Sequence, residues 1–429
     1  MSVQERDSNS NGFNAYATLL TRPNYLAGAL LLAYTLNQHS PSTPLIILYT
    51  PETMSEHSIN ALRAEAKHPN TILHPVDHLR LPKSDNDSEH GMVAERFIDT
   101  WTKLRVFEVL EIEGKRLGRL CFLDADMMIF RDPTPLIFNA ENDAYLSSGD
   151  GKRLCATHIC VCNLDHDAWA PKTWVPENCA YTHVAGPDSI AEVKSEPETM
   201  SEMNTGTFLF HPSSGLSSFV LGAFESTPHS ELRKLKFPDQ DFLNMVFHGR
   251  WSPLSWRTNV LKTWRYWHPK MWRDSEVAIL HYIVDKPWAA HVSTSPSGDK
   301  IAGYKGDDGE THSWWWAAFA KWSAERSFQN ETELLETVKR YVASGEGEDN
   351  EEMRAMGGGS QDYAKKWVKS EGEGDGQSKQ LDEKDGEDGE DGKRRNPDGR
   401  PDLLQGPHGP ILRKPMIGER GHGPVVRQR

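Results

Sequence analysis

Apolar residues recur along the first 120 residues with two different spacings. Short uninterrupted apolar runs are typical of strands buried on both faces, and apolar residues three and four apart are typical of helices. The first pattern predicts strands over 15–21, 44–50, 71–76 and 119–123, and the second predicts helices over 24–38, 55–67 and 95–113. Because strands alternate with helices, we expect an α/β fold with a Rossmann-like, mostly parallel sheet that helices cover on both faces.

Two aspartates directly follow the last of these strands. Asp124 and Asp126, in the segment LCFLDADMMIF (120–130), interrupt an otherwise apolar run. Burial of an unpaired carboxylate is strongly unfavourable, and ligands of such sheets bind at the carboxyl ends of the strands. We therefore expect both side chains to emerge at that edge of the sheet.

The aspartate pair has three interpretations that these residues alone leave open. It fits a solvated strand end, the nucleophile loop of a phosphohydrolase, or a binding site for Mn²⁺ or Mg²⁺ that neutralises a nucleotide diphosphate. Against the phosphohydrolase, Met128 stands where that loop normally has Thr or Val, and the segment does not open its domain.

The composition fits a globular chain with a large core, since 37% of its residues are hydrophobic and 14 are tryptophan. The net charge of −14 argues against nucleic acid as a partner, because a phosphate backbone attracts clustered Lys and Arg. The first residues are polar and show no signal peptide, and the apolar run over 25–36 is shorter than the about 20 residues of a membrane span. Five cysteines, an odd number, indicate reduced thiols. We expect a cytoplasmic protein with no transmembrane segment.

The composition changes near residue 343. Residues 343–400 include 17 acidic and 10 basic residues, a net charge of −7, and residues 401–429 include 2 acidic and 5 basic residues, a net charge of +3. Such a segment buries too little apolar surface to offset the entropy of ordering it. We predict one domain over 12–325 and a disordered, acidic and glycine-rich tail with a basic end over 343–429.

Six blocks of the sequence occur in an order that resembles glycosyltransferase family 8. They are YATLLTRPNYLAGALLLAYTL, TWTKLRVFEVL, CFLDADMMIFRDPTPLI, MNTGTFLFHPS, FPDQDFLNMVF and ILHYIVDKPW. The family contains retaining enzymes of the GT-A fold, among them glycogenin and plant galactinol synthase. The resemblance implies a single GT-A catalytic domain that transfers a hexose from a UDP-sugar with Mn²⁺, or Mg²⁺, as cofactor.

The resemblance also implies roles for particular residues. It assigns the metal to Asp124, Asp126 and His281, and it assigns the donor nucleotide-sugar to the same three residues and to Ala125 between the carboxylates. It assigns the donor nucleotide to Leu19, Thr21, Tyr25, Lys103 and Lys286. It assigns the donor sugar to Asn204, Thr205, Gly206, Asp239 and Gln240. Of these, Asn204, Asp239 and Gln240 are the candidate catalytic residues.

Taken one at a time, the same residues have ordinary structural interpretations. Tyr25 fits a core aromatic, and Lys103 fits a lysine on a helix surface. Asn204 fits a turn that leads into a strand. Asp239 fits the cap or first turn of the helix that follows, where the helix dipole favours an acid. His281, in VAILHYIV, fits a core histidine with satisfied hydrogen bonds.

A few positions distinguish two branches of the family. FPDQDFLN resembles the EQDFLN block of galactinol synthases, and His268-Pro269 is placed as in those proteins. Lys236 stands where glycogenins carry an additional acid. Asn259 matches the asparagine that precedes the tyrosine glucosylated in glycogenin, and Tyr266 occurs downstream. The galactinol synthase-like branch fits better.

Cys155, Cys160 and Cys162, together with His158, raise the question of a zinc site. The spacing has no CxxC pair, and the segment HICVCNL alternates in the manner of a strand. We therefore interpret these residues as part of a strand and do not predict structural zinc.

The sequence thus predicts a Mn²⁺-dependent retaining hexosyltransferase that uses UDP-glucose or UDP-galactose and a small-molecule or glycan acceptor. The alternatives are a self-glucosylating, glycogenin-like primer and a catalytically inactive nucleotide-sugar-binding protein. The sequence leaves the donor sugar, the acceptor and the formation of a homo-oligomer open.

Overall fold

The computed structural model describes residues 12–81, 95–164, 166–167, 170–289, 291, 293–294, 300–301 and 309–343. Its strands are β1 (Phe13–Leu20), β2 (Leu45–Tyr49), β3 (Thr71–Pro75), β4 (Glu111–Ile112), β5 (Lys115–Leu123), β6 (Met127–Ile129), β7 (Leu154–His158), β8 (Met203–Phe210), β9 (Trp251–Pro253), β10 (Val260–Leu261), β11 (Ile279–His281), β12 (Ser293–Thr294) and β13 (Lys300–Ile301). Its α-helices are α1 (Leu26–His39), α2 (Glu56–Glu65), α3 (Thr134–Ile137), α4 (Ala140–Leu146), α5 (Ser214–Ser226), α6 (His229–Leu232), α7 (Pro238–Val246), α8 (Trp264–Trp267), α9 (Gly309–Phe328) and α10 (Thr332–Lys339). Helices of the 3₁₀ type cover Pro23–Tyr25, Glu95–Glu108, Pro176–Asn178, Ala180–His183, Glu198–Ser201, Trp256–Thr258, Asp274–Glu276 and Pro287–Ala289. Apart from Ala343, the predicted tail over 343–429 lies outside the described residues.

The largest sheet has the strand order β3-β2-β1-β5-β8-β7-β9, and β4 pairs with β5 as a hairpin. β3, β2, β1 and β5 are parallel, whereas β8 runs antiparallel to both β5 and β7. The predicted α/β class with a mostly parallel sheet is confirmed.

The central strands are buried on both faces. In β5, Cys121 and Leu123 belong to one hydrophobic cluster, and Leu120 and Phe122 belong to a second cluster on the opposite face. Because successive side chains of a strand point to opposite faces, a strand covered on both sides needs apolar residues at every position. This accounts for the uninterrupted apolar run that ends at the two aspartates.

The predicted helix over 95–113 is wrong in type and extent. Residues Glu95–Glu108 form a 3₁₀ helix, and Glu111–Ile112 form β4. Glu113 and Gly114 have φ angles of 51° and 74°, the left-handed conformation that a two-residue hairpin turn requires. The Glu-Gly pair therefore marks a hairpin into β5 rather than the end of a helix.

The strand predicted for HICVCNL is also wrong. β7 ends at His158, which is paired with Met203 at the first residue of β8. One further backbone bond follows, from the Ile159 N–H to the Glu202 carbonyl at 3.2 Å, and the chain then leaves the sheet. Cys160 and Cys162 consequently lie outside the strand that contains Cys155.

A smaller sheet, β10-β11-β6, continues from the end of β5 and packs under α1. In α1, Thr35 Oγ1 accepts a hydrogen bond from the Ile129 backbone N–H at 3.1 Å. A Cβ atom on Gly28 would lie 2.4 Å from the Ala125 carbonyl oxygen, so only glycine allows α1 this close to the aspartate loop. Residues 26–36, most of the apolar run noted over 25–36, are buried in α1. Among the described residues, no helix has the length and apolar character needed to cross a membrane.

The described core extends through α9 and α10. Trp315 and Trp322 are almost fully buried, and Arg326 forms a buried ion pair with Glu65 of α2 at 2.5 Å. The backbone N–H of Ala343 donates to the Trp288 carbonyl at 2.8 Å. Packing against the domain therefore continues to the last residue that the structure describes.

Candidate active site

A tight turn after β5 holds Asp124 and Asp126 at the carboxyl edge of the sheet. The Asp124 backbone N–H donates to the Gly206 carbonyl at 2.9 Å, and the Met127 N–H donates back to the Asp124 carbonyl at 3.1 Å. The Asp124 side chain is 29% exposed, whereas that of Asp126 is only 10% exposed. The two charges thus emerge at the predicted edge, although Asp126 remains largely buried and needs a partner.

His281 reaches the aspartates through the small sheet. β11 runs antiparallel to β6, and His281 is paired with Met127. Its Nε2 lies 3.2 Å from Asp126 Oδ1 and 3.9 Å from Asp124 Oδ2. The structure therefore brings together the three residues that the sequence assigned to a metal, and one donor atom from each lies within 4.8 Å of the others.

A chain of hydrogen bonds fixes the tautomer of His281. The Gly206 backbone N–H donates to Asn204 Oδ1 at 3.0 Å, and Asn259 Nδ2 donates to the same oxygen at 2.7 Å. Asn259 therefore turns its Oδ1 to His281 Nδ1, at 2.9 Å. Nδ1 carries a proton in this arrangement, so Nε2 is the ring nitrogen that would present a lone pair to the carboxylates or to a cation between them.

These residues fit a divalent cation. A lone pair that faces two carboxylate oxygens is repelled unless a positive charge lies between them, and Asp126 Oδ1 is buried with no hydrogen bond from any described residue. Two carboxylates and one imidazole are a donor set that suits Mn²⁺. The sequence did not identify Asn259 as part of this site, because its role depends on contacts with residues 55 and 22 positions away.

Lys103 joins two carboxylates from different parts of the chain. Its Nζ lies 2.9 Å from Asp124 Oδ1 and 2.5 Å from Asp239 Oδ2. Burial alone would lower the pKa of this ammonium, but Asp124 and Asp239 outweigh it and hold the pKa above its ordinary value. Lys103 is therefore charged and buried, and the interpretation as a surface lysine is wrong.

Lys286 pairs with Asp126 and donates to the Tyr282 carbonyl at 2.8 Å. Burial would raise the pKa of Asp126, but the adjacent Lys286 ammonium holds it well below its ordinary value. Burial raises the pKa of Asp124 in spite of Lys103, and the nearby charge of Asp126 adds to this effect. The two aspartates consequently differ in their readiness to lose a proton.

β8 contains Asn204, Thr205 and Gly206, whereas the sequence suggested that they form a turn before the strand. β8 bonds to β5 only from Thr207 onward, which leaves the three preceding residues facing the site. A Cβ atom on Gly206 would lie 2.6 Å from His281 Cε1. The glycine is thus required for the close approach of β8 to His281.

Asp239 and Gln240 lie in the first turn of α7, and both contact Thr205. Thr205 Oγ1 donates to Asp239 Oδ2 at 3.4 Å, and its backbone N–H donates to Gln240 Oε1 at 3.4 Å. The N-cap of the helix is Phe237, which has no side-chain cap, and Asp241 accepts the N–H groups of Lys236 and Phe237 just before the helix at 2.9 and 3.0 Å. Asp239 is therefore a first-turn acid and not the cap, and its carboxylate pairs with Lys103.

The residues assigned to the nucleotide base lie at the same edge of the sheet. Leu19 is near the end of β1, and the Thr21 carbonyl accepts a hydrogen bond from Thr53 Oγ1 at 2.6 Å. The Tyr25 ring packs edge-on against Trp288 at 5.7 Å, and Lys286 Nζ lies 5.8 Å from its centre. Tyr25 is only partly buried, so it borders both the core and the site.

These features define a class: a mostly parallel α/β protein with two carboxylates and an imidazole, a donor set that fits a cation, at the carboxyl edge of its sheet and with buried lysines on both sides of them. Residues 17–291 match the family model for glycosyl transferase family 8. The chain belongs to this family.

Relatives of the chain include galactinol synthase 4 of Arabidopsis thaliana, 26% identical over 297 residues, which cover 67% of this chain and 77% of that protein. Galactinol synthase 1 of Solanum lycopersicum is 24% identical over 279 residues, or 64% of this chain and 73% of that protein. The match to the crystal structure of galactosyltransferase LgtC with donor and acceptor sugar analogs covers 64% of this chain and 89% of the LgtC chain, with 17% identity and a TM-score of 0.41. The resemblance to galactinol synthase-like members of family 8 is confirmed.

Proposed function

We propose that the protein transfers a hexose from UDP-glucose or UDP-galactose to a small-molecule or glycan acceptor, with retention of configuration and with Mn²⁺ as cofactor. The observation that carries the proposal is the meeting of His281 Nε2 with the carboxylates of Asp124 and Asp126, in a member of family 8. Retention is inferred from the family resemblance alone.

Asp124, Asp126 and His281 would hold the cation, which when bound would supply positive charge to the diphosphate leaving group. Lys103 and Lys286 place ammonium groups on either side of these ligands, where a diphosphate carries negative charge. Both ammonium groups are largely buried, which strengthens their attraction to phosphate oxygens relative to lysines in water. Leu19, Thr21 and Tyr25 would contact the uridine.

Asn204, Asp239 and Gln240 would orient the donor sugar. Both amide oxygens accept hydrogen bonds within the protein, so the NH₂ groups of Asn204 and Gln240 are the donors directed toward sugar hydroxyls. The described contacts of Asp239 use Oδ2. Its carboxylate is the best placed to stabilise positive charge that develops at the reacting carbon of the sugar.

The test measures UDP release from a panel of UDP-sugars by the purified full chain, with Mn²⁺ and after chelation. We expect turnover of UDP-glucose or UDP-galactose that depends on Mn²⁺ and is lost in Asp239→Asn. Asp188→Asn is the matched control, because this aspartate is 91% exposed and pairs only at the surface with Arg257. Binding of UDP-sugar without turnover in the presence of candidate acceptors would favour the inactive binding protein.

A further inference from the structure

Four metal-binding side chains meet at a second place, outside the site described above. Cys160 and Cys162 follow β7, Cys179 lies between two short 3₁₀ helices, and His268 directly follows α8. All four are at least 93% buried. One donor atom from each lies within 4.8 Å of the others, although His268 is 89 residues beyond the last cysteine.

The distances fit a tetrahedral set of ligands. His268 Nε2 lies 3.4 Å from Cys160 Sγ, 3.5 Å from Cys162 Sγ and 3.9 Å from Cys179 Sγ. Cys160 and Cys179 have their sulfurs 3.8 Å apart. Bonds of about 2.3 Å to sulfur and about 2.0–2.1 Å to nitrogen, at tetrahedral angles, give edges of about 3.8 Å for S···S and about 3.5 Å for S···N.

Neither a disulfide nor the ordinary packing of thiols accounts for these contacts as well as a metal does. A disulfide has its sulfurs about 2.05 Å apart, and all five cysteines are free in the structure. Ordinary packing of buried thiols leaves unexplained why one imidazole nitrogen meets three sulfurs. Cys155 and Cys121 show the contrast, because they are fully buried in strands and, within the described part of the chain, belong to no group of metal-binding side chains.

We propose that Cys160, Cys162, Cys179 and His268 form a structural Zn²⁺ site. Three thiolates and one imidazole, closed to solvent, are ligands typical of zinc that supports a fold rather than zinc that performs catalysis. Zinc was not predicted from the sequence, because His268 is far along the chain and Cys155 and His158 were grouped with the wrong partners.

The site would tie down a part of the chain with little regular structure. Between β7 and β8, the described residues contain only the short 3₁₀ helices Pro176–Asn178, Ala180–His183 and Glu198–Ser201. The zinc would join this segment to the end of α8. Thr157, three residues before Cys160, accepts a hydrogen bond from Asn259 at 2.8 Å, so the same segment supports the residue that orients His281.

The experiment measures the metal content of the full chain, purified without added metal, by mass spectrometry of the elements. We expect about one zinc per chain, and X-ray absorption at the zinc edge that shows three sulfurs near 2.3 Å and one nitrogen near 2.0 Å. Cobalt substitution should give the thiolate charge-transfer bands of a tetrahedral site. These measurements use the wild-type protein, so they decide the matter even if a variant fails to fold.

Variants then identify the ligands. Cys179→Ala and His268→Ala should lose the zinc, whereas Cys155→Ala, which removes a buried thiol outside the cluster, should keep it. Asp124→Asn should also keep the zinc, which separates this site from the one proposed for Mn²⁺. The proposal is overturned if the wild type contains no zinc, if its zinc is bound without sulfur, or if a disulfide joins two of the three cysteines.

Discussion

Gly206→Ala tests how His281 is positioned. The added Cβ would lie 2.6 Å from His281 Cε1, 2.8 Å from His281 Nδ1 and 2.9 Å from Asn204 Oδ1. Carbon atoms in contact are about 3.5–4.0 Å apart, so the imidazole must move by about 1 Å. Metal–ligand distances tolerate only about 0.2 Å. The substitution therefore displaces Nε2 from its place beside Asp124 and Asp126.

We expect Gly206→Ala to weaken Mn²⁺ binding by about 10–100-fold, the range found when the support of a metal-binding histidine is lost. Turnover should fall by about 100-fold at saturating Mn²⁺, because a displacement of about 1 Å costs that much in catalysis. Overpacking should also cost about 1–3 kcal/mol in the free energy of unfolding. Mn²⁺ affinity is measured by calorimetry, turnover by UDP release, and folding by thermal unfolding.

Gly222→Ala is the matched control. Gly222 lies in α5, and a Cβ there meets nothing within 4 Å. Replacing a helical glycine by alanine should leave Mn²⁺ binding unchanged and raise stability by about 0.5–1 kcal/mol. If folded Gly206→Ala binds Mn²⁺ as tightly as the wild type, the inferred position and tautomer of His281 are wrong.

Four further predictions rest on particular contacts. Asp126→Asn should lower turnover about a thousandfold, equivalent to about 4 kcal/mol. It should also lower the melting temperature, because the buried Lys286 ammonium loses its carboxylate partner. Adding Lys286→Met should restore the melting temperature but not the activity. Burial lowers the pKa of His312 from 6.5 to about 3. As the pH falls, the unfolded chain therefore takes up this proton before the folded chain does. Urea titrations should show a loss of about 2 kcal/mol in the free energy of unfolding between pH 7 and pH 5, and a smaller loss in His312→Gln. Truncation after Ala343 should leave the melting temperature unchanged; a large decrease would show that the removed segment packs on the domain. Incubation with UDP-glucose and Mn²⁺ should add no hexose mass to the protein, and a series of additions lost in Tyr266→Phe would favour the glycogenin-like alternative.

The boundaries of several elements required the tertiary structure. Apolar spacing was enough to locate β1, α1, β2 and α2, because the apolar residues that each element packs into the core recur at regular intervals along the chain. It failed over 95–113, where the Glu113–Gly114 turn places β4 against β5. It failed again after His158, because the length of β7 is set by the start of β8, which lies 45 residues further on.

The order of residues along the chain was enough to predict the α/β class, the edge of the sheet where Asp124 and Asp126 emerge, and, through the family blocks, the grouping of His281 with them. These features depend on local periodicity and on residues that are adjacent in the chain. The role of Asn259 in orienting His281, and the meeting of His268 with three cysteines, became apparent only in the folded chain. Both depend on side chains that are far apart in the sequence and close in space, and local spacing carries no information about such contacts.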